Sequence, residues 1–238
     1  MAYFSMVSMT RPCVALAFAV ACSVAGCGGE GGESNDPIPK DLAALETAAE
    51  TAFDQALLAN ATAVQEQARL ISEALTRYQQ QASKDGVPAS ALQRLTAAVQ
   101  GLVAAAANHA LSAIDLARTA NAVSAPMEEI YTVYNPPAPP RLLTLDYLGR
   151  EVILDAKDAN FVRALADVNS LDTNWQSLRA KVASTAGGAS AAAQFDAAIT
   201  ALRAALAASN AATLEAAARQ VLDIVDTIEA LFVTDKPD

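Results

Sequence analysis

Apolar residues recur every three or four positions along most of this chain. From residue 42 they fall at Leu42, Leu45, Ala49, Phe53, Ala56, Leu57, Val64, Ala68, Ile71 and Leu75, the spacing that paints one face of a helix. Pro37 and Pro39 precede the run, and Asp85-Gly86-Val87-Pro88 ends it. Unbroken, such a helix would be about 65 Å long at 1.5 Å per residue, so a kink or break inside it is expected. A second helix carrying Leu92, Leu95, Val99, Leu102 and Val103 is expected to start at a Ser90 cap. Residues 108–134 keep a helical composition, but Ser124-Ala125-Pro126 should kink or restart the helix, because proline lacks the N–H donor and crowds the preceding turn. Asn135-Pro136-Pro137-Ala138-Pro139-Pro140 reads as an extended polyproline spacer. After it come a short amphipathic segment, 141–154, and helices near 158–183, 190–208 and 211–232, with turns at Gly187-Gly188 and Ser209-Asn210.

Alanine dominates and aromatics are 5% of the residues, a balance that favours helix over strand. The expected fold class is therefore all-α, a helical bundle. The two sides of the proline tract show ordered matches. Phe53-x-x-Ala56-Leu57 resembles Phe161-x-x-Ala164-Leu165, Leu95, Val99 and Leu102 resemble Phe195, Ile199 and Leu202, Arg118 matches Arg219, and Glu128-x-Ile130-Tyr131 matches Glu229-x-Leu231-Phe232. Duplication and chance matching of alanine-rich helices both fit this pattern. Duplication would give two tandem three-helix units, 40–134 and 141–234, joined by the proline-rich linker 135–140 and a short connecting helix, with a tail at 235–238. Alanine buries little area, so Trp175, Phe53, Phe161, Phe195, Phe232 and the Leu/Ile/Val stripes should supply most of the cohesion.

The amino terminus has a different pattern. Residues 14–24 form an apolar run that follows Arg11 and is too short to span a bilayer, which takes about 20 apolar residues. Val24-Ala25-Gly26-Cys27 then resembles the lipobox of bacterial lipoproteins, where signal peptidase cuts before a diacylglyceryl-modified cysteine. The resemblance implies a signal peptide at 1–26, lipidation of Cys27 and a membrane held through that anchor. The residue after the cysteine is Gly28 rather than aspartate, which in a Gram-negative cell implies the outer membrane, facing the periplasm. Residues 27–39, opening with Gly28-Gly29-Glu30-Gly31-Gly32-Glu33, have the composition of a flexible tether. Translation could begin at Met1, Met6 or Met9.

On this reading Cys13 and Cys22 are removed with the signal peptide, so no disulfide forms in the mature chain. The net charge of -10 becomes one unit more negative without Arg11, which makes nucleic acid a poor partner. The single histidine, His109, follows Asn108 in a position suited to a helix cap or turn. Zinc sites, haem ligation and nucleophilic triads lean on histidine or cysteine, and no phosphate loop or calcium loop is present. No catalytic residue, metal site or cofactor is therefore expected. Exported helical iron-uptake lipoproteins of the imelysin type are similar at class level, but their His-x-x-Glu signature is missing, since Ala110-Leu111-Ser112 follows His109. Glu46, Glu50 and Asp54 share a helical stripe beside the apolar face and read as a solvated side. Asp223, Asp226 and Glu229 read as a salt-bridged surface or a polar inter-helix contact, with Arg219 paired to Asp223.

Residues 141–154 stand apart because they contain no alanine and many bulky residues. As a helix they present Leu142, Leu145, Leu148 and Val152 along one side; a hairpin turning near Gly149 is the alternative. The segment could be a wedge between the halves, or a docking surface or pocket lined by Arg141, Asp146, Tyr147 and Arg150. The function expected is that of a non-catalytic helical module binding a ligand or another envelope protein. The alternative is a periplasmic cation- or solute-binding accessory protein of an uptake system.

Overall fold

In the computed structural model, which describes residues 37–108 and 110–233, the long apolar run is two helices, α1 (Lys40–Leu57) and α2 (Ala61–Asp85). The break is a compact turn. Ala59 takes a left-handed conformation (φ 56°), Asn60 N–H donates to the Gln55 carbonyl at 2.9 Å, and the Asn60 side chain accepts from Ala63 N–H at 3.2 Å. The outgoing helix thus has its last carbonyls satisfied while the incoming one receives its cap, which offsets the cost of a left-handed alanine, on the order of 1 kcal/mol. The same device recurs at Ala159-Asn160 and Ser209-Asn210, with φ 52° and 47° and caps to Arg163 and Thr213 N–H at 3.1 Å.

Gly86 closes α2 in the left-handed conformation (φ 81°), as a helix-stop glycine should. The next helix, α3 (Ala89–Ala106), begins directly after Pro88, with Ser90 inside its first turn rather than capping it. Proline does restart the chain at 126: α4 (Ala113–Asn121) ends before it and the short α5 (Met127–Tyr131) starts after it. The proline tract is not a free spacer, because Pro139 is buried and Ala138 packs against the apolar core. Residues 141–154 form neither a hairpin nor a short connector. They belong to α6 (Arg141–Lys157), followed by α7 (Phe161–Ser184), α8 (Gly188–Ala207) and α9 (Ala211–Val233).

Neighbouring helices define two closed circuits. In the first α1 packs on α2, α2 on α3, α3 on α4 and α4 on α1; in the second the order is α6, α7, α8, α9 and back to α6. Each circuit has its own apolar cluster, and α4 and α5 lie against α6. The expected three-helix units with an added connector therefore do not describe the packing, since α6 is the opening helix of the second circuit. The match of Phe53 to Phe161 fails for the same reason, as the first lies in α1 and the second opens α7. At the centre of the second cluster Trp175 stacks on Phe195, with ring centroids 4.2 Å apart, and donates its indole N–H to Asp196 at 2.7 Å. α6 also serves as a wedge: Leu154 enters the first cluster, while Leu142, Leu145, Leu148, Val152 and Ile153 fill the second. Gly149 permits its close approach to α9, because a Cβ there would lie 2.6 Å from Leu222 Cδ2.

Candidate functional site

A helix enclosed on all sides is normally apolar all round, yet α6 is buried from Leu148 through Ala156 with Arg150, Glu151 and Asp155 among those residues. Successive residues diverge by about 100° around a helix, so Arg150 faces one way and the pair Glu151 and Asp155, one turn apart, another. Two separate charged clusters result.

The first lies in the seam between α1, α6 and α9. The Arg150 guanidinium donates to Glu50 at 2.7 Å and to Asp146, and sits 5.7 Å from the centre of the Phe53 ring. Tyr131, from α5, donates its hydroxyl to Glu46. The stripe Glu46, Glu50, Asp54 thus faces Asp146 and Arg150 of α6, with Asp226 and Glu229 of α9 close enough to act electrostatically on the same groups. Six carboxylates share the seam with the Arg150 guanidinium, with Arg219 adding its charge at Asp54, and the acidity of five of them reflects the crowding. Burial first, then the charge of Glu50, pushes the Glu46 carboxyl up to about 8. Burial also pushes Asp146 up to about 7, with Arg150 opposing and Glu50 adding to the rise. Glu229 stands well above the ordinary carboxylate range, through burial and then repulsion from Asp146 and Glu46. Asp54 and Asp226, on the solvent side, are raised as well, chiefly by burial of their carboxyl groups. Such shifts gather where like charges are packed out of water, which is also where binding sites tend to lie.

The second cluster lies between α4, α6 and α7. Arg118 donates to Glu151 at 2.5 Å, to Asp155 at 3.2 Å and to Asp158 at 3.1 Å; Arg163 donates to Asp155 at 2.7 Å and to Asp158 at 3.3 Å. Asn121 donates its amide to Glu151 at 2.8 Å and to the Tyr147 carbonyl at 3.1 Å. Asp167 joins from α7, its carboxyl pushed up to about 7 by burial and then by Asp155.

The four residues expected to share a surface are divided. Asp146 and Arg150 meet in the seam. Tyr147 lies by the second cluster, where burial and then Glu151 push its hydroxyl up to about 12. Arg141 is tied to Glu128 and Ser177, each at 2.9 Å. An open depression of about 380 Å³ near α3, α5 and α6 is lined by Arg94, Pro126, Glu128, Glu129, Thr132 and Thr144 among others, and by none of the four. Arg219 pairs with Glu215 at 2.7 Å, one turn back, rather than with Asp223. Cys27 and His109 lie outside the described residues. Among the described residues, no helix is long and apolar enough to cross a membrane.

Sequence reasoning missed the seam because it placed Glu46, Glu50 and Asp54 in water. The available signal was an offset of 100 residues that sets Glu46 beside Asp146 and Glu50 beside Arg150. Comparison of the chain with family models, characterised proteins and solved structures gives no match.

Proposed function

We propose that this chain is an envelope lipoprotein, tethered by lipid on Cys27 at the outer membrane when the cell is Gram-negative, whose helical domain is a non-catalytic module binding a positively charged ligand at the α1–α6–α9 seam. The observation that carries the reading is the imbalance there: six carboxylates against the guanidinium of Arg150 and, at Asp54, that of Arg219, graded from half-buried Glu46 to exposed Asp54 and Asp226. A cationic group entering the seam relieves repulsion that the fold otherwise meets by holding protons. The ligand fits two sources, a basic segment of another envelope protein or a free cationic solute. A second reading, an accessory protein for cation or solute uptake, is favoured by the additional carboxylates around Asp155.

The test is purification of the full-length protein from its native envelope, with mass spectrometry of the amino-terminal peptide, co-purifying proteins and small molecules. The expected result is an amino-terminal diacylglyceryl-cysteine peptide starting at residue 27, and a ligand lost in a Glu50→Lys, Asp226→Lys variant that keeps its helical circular dichroism. An unmodified amino terminus overturns the lipoprotein reading. Retention of the same ligand by the variant overturns the seam as its site.

A further inference from the structure

We infer that the cluster between α4, α6 and α7 is a binding site for a calcium-sized divalent cation, held by Glu151, Asp155 and Asp167. One carboxylate oxygen from each lies within 4.8 Å of the other two, a span that an ion with oxygen ligands at about 2.3–2.6 Å can close with small side-chain rotations. The set is all oxygen, which suits a hard cation rather than zinc or copper.

Proximity of acids alone would carry nothing, and the observation that points to a ligand is on Asp155. Its side chain is fully buried. Both arginines use the same oxygen, Oδ1, while Oδ2 has no hydrogen-bond partner. A buried carboxylate oxygen left bare is costly, and natural structures give such atoms a partner or an ion. Glu151 already accepts from Asn121 on Oε1 and from Arg118 on Oε2, but each carboxylate oxygen has a second lone pair to offer. Charge points the same way. Four carboxylates, Glu151, Asp155, Asp158 and Asp167, face two guanidiniums, Arg118 and Arg163, so acidic groups are in excess, as a cation site requires. The architecture holds the donors in place, because Glu151 and Asp155 are one turn apart on buried α6 and the Asn160 cap fixes the start of α7. The inference does not rest on the seam reading, since Glu151 and Asp155 lie on another face of α6 and Asp167 on α7.

The experiment uses the full-length protein stripped of metal with a chelator. Calcium binding is followed by radiolabelled calcium retention and by thermal unfolding at pH 7.5, for wild type and for Asp167→Asn. The asparagine is close to isosteric and lies within hydrogen-bond reach of the Asp155 carboxylate, to which it can donate its amide without an ion, so the variant should fold. The expected result is one calcium ion per wild-type chain, a Tm rise of about 5–10 °C at a hundredfold excess over Kd, and at least a tenfold loss of affinity in the variant. Wild-type protein that retains no calcium at millimolar concentration and shows no Tm shift would overturn the inference and leave a shared proton between Asp155 and Asp167 as the partner. Equal calcium binding by wild type and Asp167→Asn would also overturn it, by placing the ion elsewhere.

Discussion

Replacing Arg150 with methionine removes the guanidinium that is held between Glu50 and Asp146 and lies over the Phe53 ring, while keeping much of the side chain's apolar length. The Arg150 side chain is 8% exposed and that of Asp146 14%, whereas Glu50 at 42% keeps much of its hydration. The cost should therefore come from stranding Asp146 and Glu46, and little from the Glu50 pair, since exposed pairs contribute at most about 1 kcal/mol. Breaking a buried pair by removing one partner costs about 3–5 kcal/mol when the other stays charged. That condition depends on pH. Arg150 lowers the pKa of both Glu46 and Asp146, so its loss raises them further and the variant holds protons to higher pH than wild type. At pH 8.5, above the wild-type values of about 8 and about 7, the loss is largest, whether the stranded carboxyls stay charged or the variant takes up protons that the wild type has released. At pH 5.5 both carboxyls are protonated and the loss falls to about 1–2 kcal/mol of packing and cation–π contact. Urea unfolding followed by Trp175 emission reads the difference. With a slope of about 2–3 kcal/mol/M, the midpoint should drop by about 1–2 M at pH 8.5 and by less than half of that at pH 5.5. Equal drops at the two pH values, or a loss below about 1 kcal/mol at pH 8.5, would refute the reasoning.

The wild-type protein should lose stability as pH rises from 5 to 8.5. Folded Glu46 and Asp146 bind protons more tightly than the unfolded chain, so their contribution is complete below the ordinary values of 4.5 and 3.8 and fades as pH passes about 7 and about 8; a Tm that is flat or rising over that window contradicts this. Gly188→Ala should cost about 3 kcal/mol or more, because the new Cβ would fall 1.8 Å from the Val182 carbonyl oxygen. Gly101→Ala, in the middle of α3 with open space around it, should instead stabilise by about 1 kcal/mol; chemical denaturation of the two variants checks the opposite signs. Asn160→Ala should cost about 1 kcal/mol by uncapping α7 at Arg163 N–H, measured in the same way.

Local chemistry made the helices legible in the sequence. Gly86 ends α2, Pro126 restarts the chain, and the apolar periodicity names core residues such as Trp175, Phe53 and Phe195. The break after α1 was also written there, as Ala59-Asn60, in the same form as Ala159-Asn160 and Ser209-Asn210. It is easy to overlook because its left-handed residue is alanine rather than glycine. Periodicity shows which face of a helix is apolar but not which helix covers its flank. The stripe of Glu46, Glu50 and Asp54 therefore looks solvated until α6 and α9 are laid beside it. Asp155 was hidden for the same reason, since its arginines come from α4 and from the first turn of α7.

The most direct test of the charged seam is a titration of side-chain carboxyl carbons by nuclear magnetic resonance, with Glu46 and Asp146 assigned through Glu46→Gln and Asp146→Asn. The account predicts midpoints near 8 and 7. Midpoints near 4 for both would show an ordinary solvated surface, and the proposed cationic binding site would fall with it.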